Sequence, residues 1–326
     1  MPRHRSSRQM REATRAYGET DEFQMRGDRL PLLYTVPHLT PCAPVETQTI
    51  RGLPRSSLGR TGHRLWRLSI GCRLLYCEVE MTLTQRVALV TGGARGIGRA
   101  VALDLAGRSW SVAICYRTSR NEAREVVDAI NTRGGNGLAL QCDVSDPAAA
   151  TELVRRVHDT WGRIDALING AGPYRRISLL EETHEGWHSM FDNNLHPVFY
   201  LSQAVIPIMK ERNWGRIISF SMANAEQLIG QPQLTAHYIA KVGLLVLARS
   251  LARLVAPHNI TVNTISPGFI DSGSAPKQEL ESMIKRIPAG YAGSVDDAAA
   301  AVRFLLSDEA RYVNGANLQL SGAWGV

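Results

Sequence analysis

Two hydrophobic rhythms alternate along the chain from about Gln85 onward. Short apolar runs at Val87 to Val90, Val112 to Cys115, Leu138 to Leu140, Ile164 to Ile168, Ile217 to Phe220, Ile260 to Ile265 and Leu318 to Leu320 predict buried strands. Between them, Ala123 to Ile130, Ala148 to Trp161, Leu195 to Met209 and Tyr238 to Val255 repeat apolar residues at the three-to-four spacing of one helix face. Ser294-Val295-Asp296-Asp297 has the form of a capping box and opens a further helix through Leu306. Strands alternating with helices predict an α/β fold, a doubly wound parallel sheet covered on both faces, with ligands at the carboxyl ends of the strands. We expect this to form a single domain over residues 81–326, and no internal repeat interrupts it.

Residues 1–80 lack that rhythm and are broken by Pro31, Pro37, Pro41, Pro44 and Pro54. They hold 13 arginines, no lysine and 8 acids, a net +5 of the chain's +7. Three readings stand for this leader: a disordered tail, an organelle-targeting peptide, or upstream sequence translated from a wrongly chosen start. Eight acids argue against a transit peptide. Arginine without lysine suits GC-rich sequence read as protein, and Met81 is then the natural start. The basic pI of about 9.4 therefore describes the leader, so no nucleic-acid partner is expected. No apolar run reaches the length of a membrane span, and no membrane association is expected. Five cysteines without a CxxC pair suggest neither a disulfide framework nor a zinc ribbon, which fits a cytoplasmic protein. Cys115 and Cys142 read as small buried thiols.

The chemistry begins at Thr91-Gly92-Gly93-Ala94-Arg95-Gly96-Ile97-Gly98, between the first predicted strand and the helix that follows. Gly92, Gly96 and Gly98 allow a tight turn and a close pyrophosphate, whose charge the helix N-terminus favours. The expected fold is thus Rossmann-like. Farther on, Tyr238 and Lys241 sit three apart on a predicted helix, so both occupy one face. A cation near a phenol favours the phenolate, which suits Tyr238 to proton transfer.

From Met81 to Val326 the chain resembles the short-chain dehydrogenase/reductase family. The segment Thr91 to Gly98 resembles its TGxxxGxG cofactor turn, and Asp143 with Val144 resembles the adenine contact after the third strand. Asn169-Gly170-Ala171-Gly172 resembles NNAG with glycine as its second residue, and Asn194 resembles the asparagine that holds a relay water. Pro267-Gly268, with Ile270 and Ser272, resembles the loop beside the nicotinamide. The resemblance gives Lys241 the nicotinamide ribose and the bias on the acid. It departs at YxxxK: Tyr238-Ile239-Ala240-Lys241 is one residue short, and alignment on Lys241 puts His237 in the tyrosine's place. Either side chain meets Lys241 by spacing, but neighbours on a helix differ by about 100°, so they do not point the same way. The phenol-lysine chemistry favours Tyr238, with His237 the alternative. A second departure puts Met222 where the family has its polarising serine, leaving Ser221 and Asn224 as substitute donors.

The second strand ends Cys115-Tyr116-Arg117 without an acid for a ribose diol. Arg95 and Arg117 are expected to grip a 2′-phosphate, so the cofactor is expected to be NADPH/NADP. His184-Glu185-Gly186-Trp187-His188 spells the HExxH zinc pattern, but Gly186 weakens that helix and no third ligand is evident, so no metal is expected. The resulting expectation is an NADP-dependent reductase of a carbonyl or related unsaturated small molecule, acting as a homo-oligomer, dimer or tetramer. The resemblance suggests a 3-oxoacyl-carrier or a pteridine substrate. The competing class is a cofactor-binding sensor or structural protein without turnover.

Overall fold

A computed structural model of the chain describes residues 85–272 and 277–325. The leader expected over residues 1–80, and the start expected at Met81, lie outside the described residues. Seven strands form one parallel sheet: β1 (Val87–Thr91), β2 (Ser111–Tyr116), β3 (Asn136–Gln141), β4 (Ala166–Asn169), β5 (Gly215–Phe220), β6 (Ile260–Pro267) and, at its far edge, β9 (Asn317–Leu320). The spatial order β3-β2-β1-β4-β5-β6-β9 reverses direction between β1 and β4. At that reversal the crossovers leave to opposite faces, and a crevice opens beyond the carboxyl ends of β1 and β4. All five residues of β1 and all six of β5 are buried, because helices cover both faces, whereas β3 at the edge is only partly buried.

The covering helices are α1 (Gly96–Ala106), α2 (Arg120–Thr132), α3 (Pro147–Trp161), α4 (His184–Asn194), α5 (His196–Glu211), α6 (Thr235–Val255) and α8 (Val295–Leu306). Two apolar clusters divide the core by face. One joins α1, α2 and α8 to the sheet through Val101, Val126 and Val302, and the other joins α3, α5 and α6 through Leu153, Leu201 and Ala248. Each predicted strand is present, extended by one or two residues at most at either end except that β4 starts two residues later than its apolar run. The capping box of α8 is formed: the Ser294 hydroxyl accepts from the Asp297 N–H, and the Asp297 carboxylate accepts from the Ser294 N–H. The pattern did not predict α7 (Lys277–Ile284) or the paired two-residue strands β7 (Ile270–Asp271) and β8 (Gly293–Ser294). Two residues are too few to carry an alternation.

Candidate active site

A cleft of about 880 Å³ lies over the switch point, lined by the glycine turn, the end of β2 and the Gly170–Pro173 segment after β4. Gly92 has φ +66°, and a Cβ there would stand 3.0 Å from the Ala171 nitrogen. A Cβ on Gly98 would stand 2.3 Å from the Gly92 carbonyl oxygen, so only glycine lets α1 press against the turn. Gly96 has φ +51°, and a Cβ there would make an ordinary contact with the Ser272 Cβ at 3.7 Å; Ile97 packs partly buried on the core beneath. Gly170 replaces an asparagine of the family pattern at a crowded point: a Cβ would lie 2.8 Å from the Thr91 carbonyl oxygen, and its N–H donates to the Thr91 hydroxyl.

The arginines expected at the ribose line this cleft, and both are partnered. Arg95 pairs with Glu122. Arg117 donates to the Asn193 side-chain oxygen at 2.9 Å and stands 3.8 Å from Asp143. The Ser145 hydroxyl and N–H, and then Arg117, hold the Asp143 carboxyl below its usual range. Val144 lines the same wall. A nicotinamide dinucleotide fits these residues, because a cradle without Cβ atoms opens onto the N-terminus of α1. On the opposite side, Pro267 accepts from the Ala223 N–H, and Gly268 lies so near Ser321 that a Cβ would stand 3.0 Å away. Ile270 and Ser272 follow on β7 and just beyond it.

Deeper, three side chains converge on Gly172 and Pro173. Lys241 is buried and donates to the Phe220 carbonyl at 2.9 Å, and burial pushes its ammonium down to about 8. Asn194, the last residue of α4, donates to the Met190 and Pro173 carbonyls at 2.9 and 3.2 Å, leaving its oxygen buried without a partner. A Cβ on Gly172 would stand 2.5 Å from that oxygen and 3.3 Å from the Lys241 nitrogen. The His237 ring lies near the Pro173 carbonyl and meets Tyr174 edge-on at 5.4 Å, while its Nδ1 is buried and unpartnered. Burial first and the Lys241 cation second push the imidazole down to about 4. Asn169 ends β4 nearby and donates to the Ser219 hydroxyl at 3.1 Å.

Tyr238, favoured from sequence, points elsewhere. Its hydroxyl donates to the Asn224 carbonyl at 2.8 Å and accepts from the Ile229 N–H at 3.2 Å, beside a separate apolar hollow lined by Leu228 and Ile239. The rotation between helix neighbours sends His237 to Lys241 and Tyr238 to the loop after β5. Ser221 also departs from expectation: its hydroxyl donates to the Lys241 carbonyl at 2.8 Å, bracing α6 rather than facing the cleft. Met222 is half-buried, and Asn224 sits at φ +67° with its side-chain oxygen buried and unpartnered. His184, Glu185 and His188 are exposed on the first turns of α4, and among the described residues no three metal-ligating side chains are grouped to hold an ion. Pro173, Tyr174 and Asn193 were missed from sequence; their only signal was adjacency to Gly172 and Asn194.

The His237 environment makes stability depend on pH. Above about 6.5 the imidazole is neutral both folded and unfolded. As pH falls from there toward about 4, the unfolded chain takes a proton that the folded site resists, so stability is lost across that window. The expected loss is about 3 kcal/mol at its fullest. Urea unfolding of wild type and His237→Gln between pH 7.5 and 4.5 should show the two diverging below 6.5. Parallel curves would mean that the imidazole titrates freely.

Residues 92–323 match the sequence family described as enoyl-(acyl carrier protein) reductase. The chain is 37% identical over 245 residues to the 3-oxoacyl-(acyl-carrier-protein) reductase FabG of Escherichia coli, spanning 74% of this chain and 98% of the relative. The reductase of the same name from Staphylococcus aureus is 36% identical over 238 residues, spanning 72% of this chain and 96% of its own length. With a glycine cradle at the switch point of a seven-stranded parallel sheet and a family match over residues 92–323, the chain belongs to the short-chain dehydrogenase/reductase family of oxidoreductases.

Proposed function

We propose that the protein reduces the keto group of a 3-oxoacyl thioester with NADPH, and that His237 does the proton transfer. The substrate class is taken from the reductases it resembles, named for 3-oxoacyl-acyl-carrier-protein substrates. The observation that carries the proton assignment is the buried, unpartnered Nδ1 of His237 above Gly172 and Pro173, with Lys241 and Asn194 beside it. Bound in the cleft, the cofactor supplies a hydride to the carbonyl carbon. Nδ1 carries the proton that the resulting alkoxide takes, and in the oxidising direction it removes that proton from the alcohol. Lys241, charged below about 8, holds the nicotinamide ribose and makes the neighbouring imidazolium a strong acid. The orphan oxygen of Asn194 anchors a water that refills the proton. Free thiols at Cys115 and Cys142 accord with residence in a reducing cytoplasm, and exposed Phe199 on α5 with Val246 and Leu254 on α6 accords with a homo-oligomer.

Arg95, now paired with Glu122, and Arg117, now bonded to Asn193, are the residues that would hold the 2′-phosphate of NADPH. NADPH is expected to bind at least about tenfold more tightly than NADH, about 1.4 kcal/mol. Fluorescence titration of both cofactors checks this, and Arg95→Ala/Arg117→Ala should erase the preference. A ratio that the double variant leaves intact would remove these arginines from the phosphate. Turnover of a 3-oxoacyl thioester tests the reaction itself. Tight NADPH binding with no oxidation of NADPH by any such thioester would overturn it.

A further inference from the structure

Both cysteines among the described residues are free, and they meet under the floor of the cleft. In the parallel register of β2 and β3, Cys115 lies opposite Leu140. Cys142, two residues on, turns its side chain to the same face. The Cys115 thiol donates to the Cys142 carbonyl at 3.6 Å, and the Cys142 thiol donates to the Ala149 carbonyl at 3.4 Å, which brings the two residues side by side. Cys115 is buried and Cys142 half-buried, and both line the cleft. Each thiol stands next to a cofactor residue: Asp143 follows Cys142 directly, and Arg117 lies two beyond Cys115.

We propose that Cys115 and Cys142 form an oxidisable dithiol that hydroperoxides close to a disulfide, and that closure weakens binding of the dinucleotide. This rests on the reading that the cleft takes a nicotinamide dinucleotide. The neighbouring Cys115 thiol holds the Cys142 thiol below its ordinary pKa, and the same proximity together with burial pushes Cys115 up. Cys142, also the more exposed of the two thiols, is therefore the nucleophile. Its thiolate attacks one peroxide oxygen, the O–O bond breaks, and the alkoxide or hydroxide leaves with a proton from solvent as alcohol or water, giving a sulfenic acid. The Cys115 sulfur then attacks the Cys142 sulfur, the S–O bond breaks, and the Cys115 proton departs with the hydroxyl as water. Two electrons pass from the two sulfurs to the peroxide.

A disulfide needs its two Cα atoms roughly 4.4–6.8 Å apart and its sulfurs facing each other, whereas here the thiols point at the Cys142 and Ala149 carbonyls. Closing the bridge must turn the Cys142 sulfur from the Ala149 carbonyl toward Cys115 and shift the ends of β2 and β3 against each other. That movement shifts Arg117 and Asp143, which stand 3.8 Å apart across the same gap. By linkage, a cofactor that prefers the open form also protects the thiols.

The test treats the full chain with hydrogen peroxide, maps disulfide peptides by mass spectrometry, and titrates NADPH before treatment, after it, and after dithiothreitol. Expected are a Cys115–Cys142 linked peptide, a cofactor Kd at least about tenfold weaker, recovery with dithiothreitol, and slower oxidation when NADP is already bound. In Cys115→Ser and in Cys142→Ser, the ratio of Kd before and after treatment should stay near one, whatever each variant's own affinity. A linked peptide with unchanged Kd overturns the control, and oxidation of Cys142 to a sulfinic acid without a linked peptide overturns the bridge. Wild type alone decides both if neither variant folds. If the untreated protein binds neither NADPH nor NADH, the cleft reading itself fails, and the peptide map separates that result from the others.

Discussion

His237→Phe is expected to slow hydride transfer by about a hundredfold to ten-thousandfold, the usual worth of a positioned general acid, while leaving NADPH affinity near its wild-type value. Tyr238→Phe is expected to retain the rate to within a fewfold, because the phenol's hydrogen bonds go to Asn224 and Ile229 in the loop after β5 and not to the cleft. Single-turnover oxidation of NADPH at saturating cofactor measures both, free of product release. The pH profile gives an independent readout. An imidazole held near 4 is mostly neutral at pH 7, so the reductive rate should rise as pH falls from 7 toward 5. The oxidative direction needs the neutral form and should be flat over the same range. Burial sets that sign, the Lys241 cation on the same helix adds to it, and the Pro173 carbonyl opposes it. A large loss in Tyr238→Phe with little in His237→Phe would reverse the assignment.

Asp165→Ala is expected to cost about 3–5 kcal/mol of folding stability. Asp165 is 1% exposed at the amino end of β4, and its carboxylate accepts from the Val87 N–H at 2.8 Å and from Arg163 through two bonds of 2.7 Å. Alanine strips the buried Val87 N–H of its acceptor and takes from Arg163, whose side chain is 14% exposed, a two-point carboxylate partner, so the penalty is an orphaned N–H and a lost buried pair. For a domain of this size the midpoint should fall by roughly 6–20 °C. Asp165→Asn keeps an oxygen for Val87 and should lose less. Thermal unfolding of the three proteins checks the order, and an alanine variant as stable as wild type would show that water replaces the carboxylate at no cost.

The fold was legible because burial on both faces leaves strands as unbroken apolar runs, and each run from Val87 to Leu320 became a strand. The glycine turn was equally plain, since the steric demand at Gly98 and the positive φ at Gly92 admit few other residues. What failed was orientation within a short segment. Spacing on a helix puts both His237 and Tyr238 within reach of Lys241, and the chemical attraction of a phenol beside an amine pointed to Tyr238, whose hydroxyl lies instead on Asn224 and Ile229. Likewise, the Ser221 hydroxyl serves α6 because β5 keeps its register to the end, pairing Phe220 with Ile265.

The sequence by itself determined the order of strands and helices, the place of the cleft at the end of β1, and the residue types at the cofactor turn. These follow from local backbone freedom and from apolar periodicity, which neighbours along the chain encode. Tertiary structure alone decided which side chain of the 237–238 pair faces Lys241, that Arg95 and Arg117 carry partners, and that Cys115 and Cys142 touch. Those outcomes depend on where α4, α6 and the ends of β2 and β3 come to rest. That is set by packing between segments distant in sequence, which no local pattern records.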